Sequence, residues 1–179
     1  RYDIDNFKLE DTEKTSAVVT KTSGIFGDNM VLQRNSKVKI WGKDNPDSSI
    51  SIATDWNNKN YLTKADELGN WEVQVSTPDA GGPYNIEILG TDTIRIKNVL
   101  MGEVWICSGQ SNMQFAMSGV DGAATVIANS ANENLRQFLV PGKGSLEPSD
   151  EISGNWQAAS PETTGAFSAV AYYFGKMLQ

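Results

Sequence analysis

Between Ile25 and Asn98 apolar and polar residues alternate in short bursts. Val38-Lys39-Ile40-Trp41, Ile50-Ser51-Ile52-Ala53 and Trp71-Glu72-Val73-Gln74-Val75 follow this pattern, as do Tyr84-Asn85-Ile86-Glu87-Ile88 and Ile94-Arg95-Ile96-Lys97. A period of two places the apolar side chains on one face of a strand. Met30-Val31-Leu32-Gln33 adds a further short apolar stretch. The bursts are separated by turn formers: Asp44-Asn45-Pro46-Asp47, Leu68-Gly69-Asn70, Gly81-Gly82-Pro83 and Gly90-Thr91-Asp92. Short strands at near-regular spacing with such turns predict a β-sandwich over residues 25–98, each sheet dry on one face and wet on the other.

After residue 98 the pattern changes. Val99-Leu100-Met101 and Val104-Trp105-Ile106-Cys107 are continuous apolar runs, which predict strands buried on both faces, as in a parallel sheet. Residues 120–132 are Ala-rich and read as helical; Leu135 to Val140 reads as a second strand. Pro141 to Pro161 is loop-rich, with Trp156 as an anchor. Phe167, Val170, Ala171, Phe174 and Leu178 form a helical apolar stripe, capped at its start by Ser168 or Thr164. A strand–helix–strand–helix order over residues 99–179 predicts the first part of an α/β domain, which a natural fold would continue. Residues 1–24 are polar and charge-rich, and are expected to be a tail or linker.

Composition narrows the function classes. The 179 residues carry a net charge of −7 and 39% apolar side chains, as expected of a soluble acidic protein. A nucleic-acid partner is not expected, because a sequence pI of about 4.6 repels a phosphate backbone. Nor is a membrane partner, because no apolar run approaches the roughly 18 residues of a spanning helix. Arg1-Tyr2-Asp3-Ile4-Asp5 lacks the apolar core of a signal peptide, which suits a cytoplasmic or a trimmed chain. With no histidine and one cysteine, no metal and no cofactor are expected. Cys107, in an apolar run, is expected to be a buried, inert thiol.

The candidate chemistry sits at Gly109-Gln110-Ser111-Asn112. A serine just past an apolar strand, among small and polar residues, has the setting of a nucleophile at the carboxyl edge of an open sheet. Gly109 would permit a tight turn and a close approach of substrate. The Ser111 amide, at a helix start, would face the oxygen of a tetrahedral intermediate. Gln110 and Asn112 would orient the loop. The alternative is a plain polar turn, since Gly, Ser and Asn all favour turns. The usual base is missing, because the chain has no histidine.

The flanks favour the nucleophile. Gly102-Glu103-Val104-Trp105-Ile106-Cys107-Ser108-Gly109-Gln110-Ser111-Asn112-Met113 resembles the nucleophile block of the sialate O-acetylesterase family, carbohydrate esterases of the SGNH-hydrolase type. Ile25 to Arg34, Val38 to Gly42, Gly69-Asn70-Trp71, Gly81-Gly82-Pro83-Tyr84 and Asn98-Val99-Leu100 resemble its earlier blocks. Leu135 to Phe138 and Phe167 to Phe174 resemble later ones, so the likeness covers about residues 25–179. The resemblance implies removal of O-acetyl groups from sugars, sialic acid in the name-giving case, with Ser111 attacking the acetyl carbonyl. It also implies a base in an Asp-x-x-His-like block and further oxyanion donors, none of which has a counterpart here. The implied partners are an acetylated sugar and the missing C-terminal part of the catalytic domain. The implied location is secreted or periplasmic. The chain alone is expected to be inactive and prone to self-association. A non-catalytic carbohydrate-binding or structural module with a vestigial serine remains the alternative.

Other residues have plainer readings. Trp41, Trp71, Trp105 and Trp156 are expected to anchor cores or edges. Trp56, in the polar segment Asp55-Trp56-Asn57-Asn58, is the tryptophan considered for stacking on a sugar. Glu103 and Asp121 are read as solvated or capping charges. Met113, Phe115 and Met117 are read as packing, and Tyr172, Tyr173 and Phe174 as helix packing.

Overall fold

The computed structural model describes residues 19–141, 146, 147, 149 and 151–179. The first 18 residues of the expected tail lie outside them. The chain is mostly sheet with few helices. Strands β1 (Lys21–Thr22), β3 (Lys37–Lys43) and β6 (Asn70–Ser76) form a three-stranded sheet in the order β1-β3-β6. Strands β2 (Val31–Gln33), β4 (Ser49–Thr54), β5 (Lys59–Lys64), β7 (Gly81–Leu89) and β8 (Thr93–Gly102) form a five-stranded sheet in the order β2-β8-β7-β4-β5. The sheet is mixed: β2 runs parallel to β8, and the other pairs are antiparallel.

The alternation read from the sequence is what joins the two sheets. Ile50 and Ile52 of β4, Ile86 and Ile88 of β7, and Ile96, Val99 and Met101 of β8 are buried together with Ile40 of β3 and Trp71 and Val75 of β6. Both sheets thus turn their apolar rows into one core, and the residues between point outward. Asn29, Asn35, Asp47 and Asn58, between strands, and Asn98, within β8, adopt the left-handed region that these short polar side chains tolerate. Gly69, at φ 79°, has no such latitude: a Cβ there would lie 2.3 Å from the Asp44 carbonyl oxygen.

Several boundaries differ from those expected. Lys21–Thr22 pairs with Lys43 and Gly42 of β3, so residues 19–24 belong to the folded unit rather than a tail. Strand β8 runs through the 98/99 boundary to Gly102. Val99, Leu100 and Met101 therefore close the five-stranded sheet instead of opening a second one. Val104 to Cys107 is not a strand, because no strand among the described residues lies beside it. Ile106 is 94% exposed and Trp105 58%. Cys107 is exposed, not buried.

The remaining residues form a smaller unit. It contains helices α1 (Ser111–Gln114), α2 (Ala123–Ala128) and α3 (Ala169–Met177) and an antiparallel hairpin of β9 (Asn132–Phe138) and β10 (Trp156–Ala159). The Ala-rich segment is helical only over α2. The expected second strand is β9, paired antiparallel with β10; among the described residues β2–β8 is the sole parallel pair. Met117, Ala159, Phe167, Ala169 and Tyr172 are the buried centre of this unit. Ser168 caps α3, its Oγ accepting from the Ala171 amide at 3.3 Å. The expected stripe on α3 turns largely to solvent, with Val170, Phe174 and Leu178 40–54% exposed.

Candidate active site

The route from the five-stranded sheet to Ser111 starts at a fixed point. At the end of β8 the Glu103 carboxylate accepts from Gln33 Nε2 at 2.9 Å and from Arg34 Nε at 2.7 Å. Arg34 Nη1 also donates to Asp79 at 3.0 Å, and the Val104 amide donates to Gln33 Oε1 at 2.9 Å. The Gln33 and Arg34 hydrogen bonds hold the Glu103 carboxyl below its usual range. These groups are exposed, so they set direction more than stability. Glu103 is thus paired rather than merely solvated.

Ser111 opens α1 a few residues later. It is exposed, and among the described residues its Oγ makes no hydrogen bond. Gln110 precedes the helix, and its carbonyl accepts from the Met113 and Gln114 amides at 2.9 and 3.1 Å. The Ser111 and Asn112 amides stand in the first turn, where a helix supplies no acceptor of its own. Gly109 does not have positive φ; its requirement is space, since a Cβ there would sit 3.0 Å from Met113 Cβ. Gln110 and Asn112 are exposed, with no side-chain cap from Gln110.

The back of this segment is fastened to the start of α3. The Ala169 amide donates to the Phe115 carbonyl at 2.9 Å, and the Met117 amide to the Phe167 carbonyl at 2.8 Å. Ser168 Oγ lies 3.5 Å from Met113 Sδ, and Trp105 meets Phe174 edge to face at 5.3 Å. Met117 is fully buried, as expected of packing, whereas Phe115 is 50% exposed. Asp121 is exposed. Trp56 is not a free platform. Its Nε1 donates to the Ser76 carbonyl at 2.9 Å, and its ring packs against the core beside Tyr84. Trp105, expected to anchor a core, is instead 58% exposed.

The arrangement sets an unencumbered hydroxyl beside unpaired amides on a short helix with a fixed base. It provides no proton acceptor to the hydroxyl among the described residues. Sequence reasoning missed Gln33, Arg34 and Asp79 as supports of the segment. Only their charge and amide character hinted at them, and the distance in sequence to Glu103 concealed the contact.

No family model matches the chain. It is 29% identical over 188 residues to a mouse sialate O-acetylesterase, covering 90% of this chain and 35% of that protein. It is 24% identical to the human sialate O-acetylesterase, covering 93% of this chain and 35% of that protein. Among solved structures, a carbohydrate acetylesterase from Xanthomonas citri superposes with a TM-score of 0.85 at 34% identity, over 89% of this chain and 37% of that one. The chain spans about a third of the length of the curated relatives it matches. Over about nine-tenths of its length the chain is similar to the sialate O-acetylesterases, whose N-terminal portion it matches.

Proposed function

We propose that this chain carries the nucleophile segment of a carbohydrate esterase that removes O-acetyl groups from sugars, with sialic acid as the favoured substrate. The observation that carries the reading is Ser111: exposed, unbonded, and at the first position of a helix within the block that resembles the esterases. The names of its relatives, sialate O-acetylesterase and carbohydrate acetylesterase, support the substrate class.

In this mechanism Ser111 Oγ attacks the acetyl carbonyl carbon while a base takes its proton. The carbonyl oxygen becomes an oxyanion, which the Ser111 amide stabilises as one donor. Collapse breaks the ester bond, the sugar oxygen leaves with a proton, and an acetyl-serine remains for water to hydrolyse. Gly109 gives the substrate room, and Gln110 and Asn112 shape the loop. The chain has no histidine, so base and further donors come from outside these 179 residues. We read the two sheets over residues 25–98 as a β-sandwich accessory unit. We read residues 99–179 as the first part of an SGNH-type α/β unit whose later elements cover Trp105, Ile106 and the outer face of α3. Export or a periplasmic location accords with the family resemblance. The absence of histidine is what favours the second reading, a carbohydrate-binding module with a vestigial serine.

Acetate release from O-acetylated sialic acid tests the proposal. The 179-residue chain alone is expected to turn over nothing. The protein at the full length of its relatives is expected to be active, and Ser111→Ala to reduce that activity roughly a thousandfold or more. Full activity in Ser111→Ala would refute the nucleophile assignment. Serine-dependent turnover by the chain alone would refute the external base.

A further inference from the structure

The outward face of the five-stranded sheet holds a concavity of about 630 Å³ to which no residue of the Ser111 segment contributes. Its origin lies in the strand register. Asn60 of β5 pairs with Ala53 of β4, Ala53 with Glu87 of β7, and Glu87 with Arg95 of β8. One row thus crosses four strands with a methyl group in the middle and long polar side chains around it. A small side chain between large ones leaves a hollow. Strand spacing makes the row roughly 14 Å long.

The walls are held in place before any ligand arrives. Arg95 Nε donates to Glu87 Oε1 at 2.8 Å. Asn85 donates to Asp55 Oδ2 through both its amide and its Nδ2, each at 2.9 Å. The remaining Arg95 N–H groups, the Asn60 amide and Lys97 offer donors; Glu87 and Asp55 offer acceptors. A ligand that fills the hollow must therefore be rich in groups that both donate and accept. Vicinal hydroxyls do this. A polyanion meets Glu87 and Asp55 and a chain of net charge −7. The volume lies within the range of small-ligand sites.

We propose that this face binds a carbohydrate chain, with hydroxyls on Asn60, Glu87 and Arg95 and a sugar ring lying over Ala53. The site is separate from Ser111: no residue of that segment lines it, and β8 runs on from Arg95 to Gly102 before the segment begins. It does not depend on the esterase reading, and it gives the carbohydrate-binding reading a defined site. In the longer protein it would hold a sugar polymer while acetyl groups are removed elsewhere.

The test is a titration of the isotope-labelled chain, followed by amide resonances, with sialyllactose, xylohexaose and cellohexaose as probes. Saturable shifts at Ala53, Asn60 and Arg95 are expected with at least one sugar, at a Kd of about 1 mM. Arg95→Ala and Asn60→Ala should each weaken it about tenfold, with melting temperatures close to the parent. Ser111→Ala should leave it unchanged, which keeps this outcome distinct from that of the hydrolysis assay. No saturable shift with any probe, shifts insensitive to both variants, or equal shifts with inorganic phosphate would overturn the proposal.

Discussion

Asp44 shows what one buried carboxylate can do in this fold. It is 1% exposed and joins three stretches of chain. Its oxygens accept from Thr20 Oγ1 at 2.7 Å, from the Asn45 amide at 2.6 Å, from the Thr91 amide at 2.9 Å, and from the Thr91 hydroxyl. Burial alone would push this carboxyl up; the Thr91, Thr20 and Asn45 hydrogen bonds outweigh it and hold it at about 2. A depressed carboxyl contributes stability above its unfolded pKa, and the contribution is lost as pH falls toward the folded value. Urea unfolding should therefore show about 2 kcal/mol of stability disappearing between about pH 4 and pH 2, a loss missing from Asp44→Asn. At neutral pH Asp44→Ala should cost about 3 kcal/mol, because buried donors lose their acceptor. Its neighbour Gly90 is fixed by space: a Cβ there would lie 2.2 Å from Asp44 Oδ2. Cys107 supplies a second test at this scale. Being exposed, it should react with one equivalent of a thiol-specific disulfide reagent in the native state. A thiol that reacts only after denaturant is added would contradict its placement.

At the scale of elements, the β9–β10 hairpin ties the smaller unit to the sheets. Arg136 on β9 extends its guanidinium to the carbonyls of Asn29 and Asn98 and to Asn98 Oδ1. Trp156 on β10 donates from Nε1 to the Ile25 carbonyl at 2.7 Å and rests on Phe138. A planar fork can serve several acceptors at once; a lysine ammonium on a flexible stem holds that geometry poorly. Arg136→Lys should lower stability by roughly 1–3 kcal/mol. The fluorescence component lost in Trp156→Phe should then unfold at lower urea than the sheet signal by circular dichroism. Coincident transitions at the parent midpoint would show that the clamp is unimportant. These elements also show which parts of the fold were legible. Strands β3, β4, β6, β7 and β8 follow the alternation because one face of each meets the core. Strand β5 was missed because its most apolar residue, Leu62, faces out at 76% exposure, while Tyr61 and Thr63 face in. Strand β10 has four residues, too few for a period. The helix start at Ser111 follows the expectation, yet the strand expected before it is not there. Val104 to Cys107 is apolar yet exposed, with Trp105 meeting Phe174 edge to face. Hydrophobicity marks a side chain that is to be covered; it does not say by what.

Across the whole molecule, that uncovered surface is the feature with the largest consequence. Trp105, Ile106, Val170, Phe174, Met177 and Leu178 are each at least 40% exposed, and the Trp105–Phe174 contact joins the two ends of the patch. The core of the two sheets is closed, with Ile40, Ile52, Ile88 and Val99 at 0% exposure. Leu62, Leu68 and Leu89 are exposed singly on the two-sheet unit, whereas Trp105 and the outer face of α3 lie on the smaller unit, the unit that carries Ser111. Isolated apolar side chains on a surface are ordinary, but a contiguous group of large ones marks a place that another surface meets. In solution the chain should associate through this face reversibly, without unfolding. Sedimentation velocity over about a hundredfold range of concentration should show a rising mean coefficient. Ile106→Lys with Phe174→Lys should return it to a single monomeric species, because two like charges in a face-to-face contact repel and must be desolvated. The Asp44-dependent acid transition reports on the sheets and should be unaffected by these two changes. A parent chain that remains monomeric throughout would mean that Trp105 and α3 find their cover within the chain. The exposed apolar face would then not be an interface between copies of the chain.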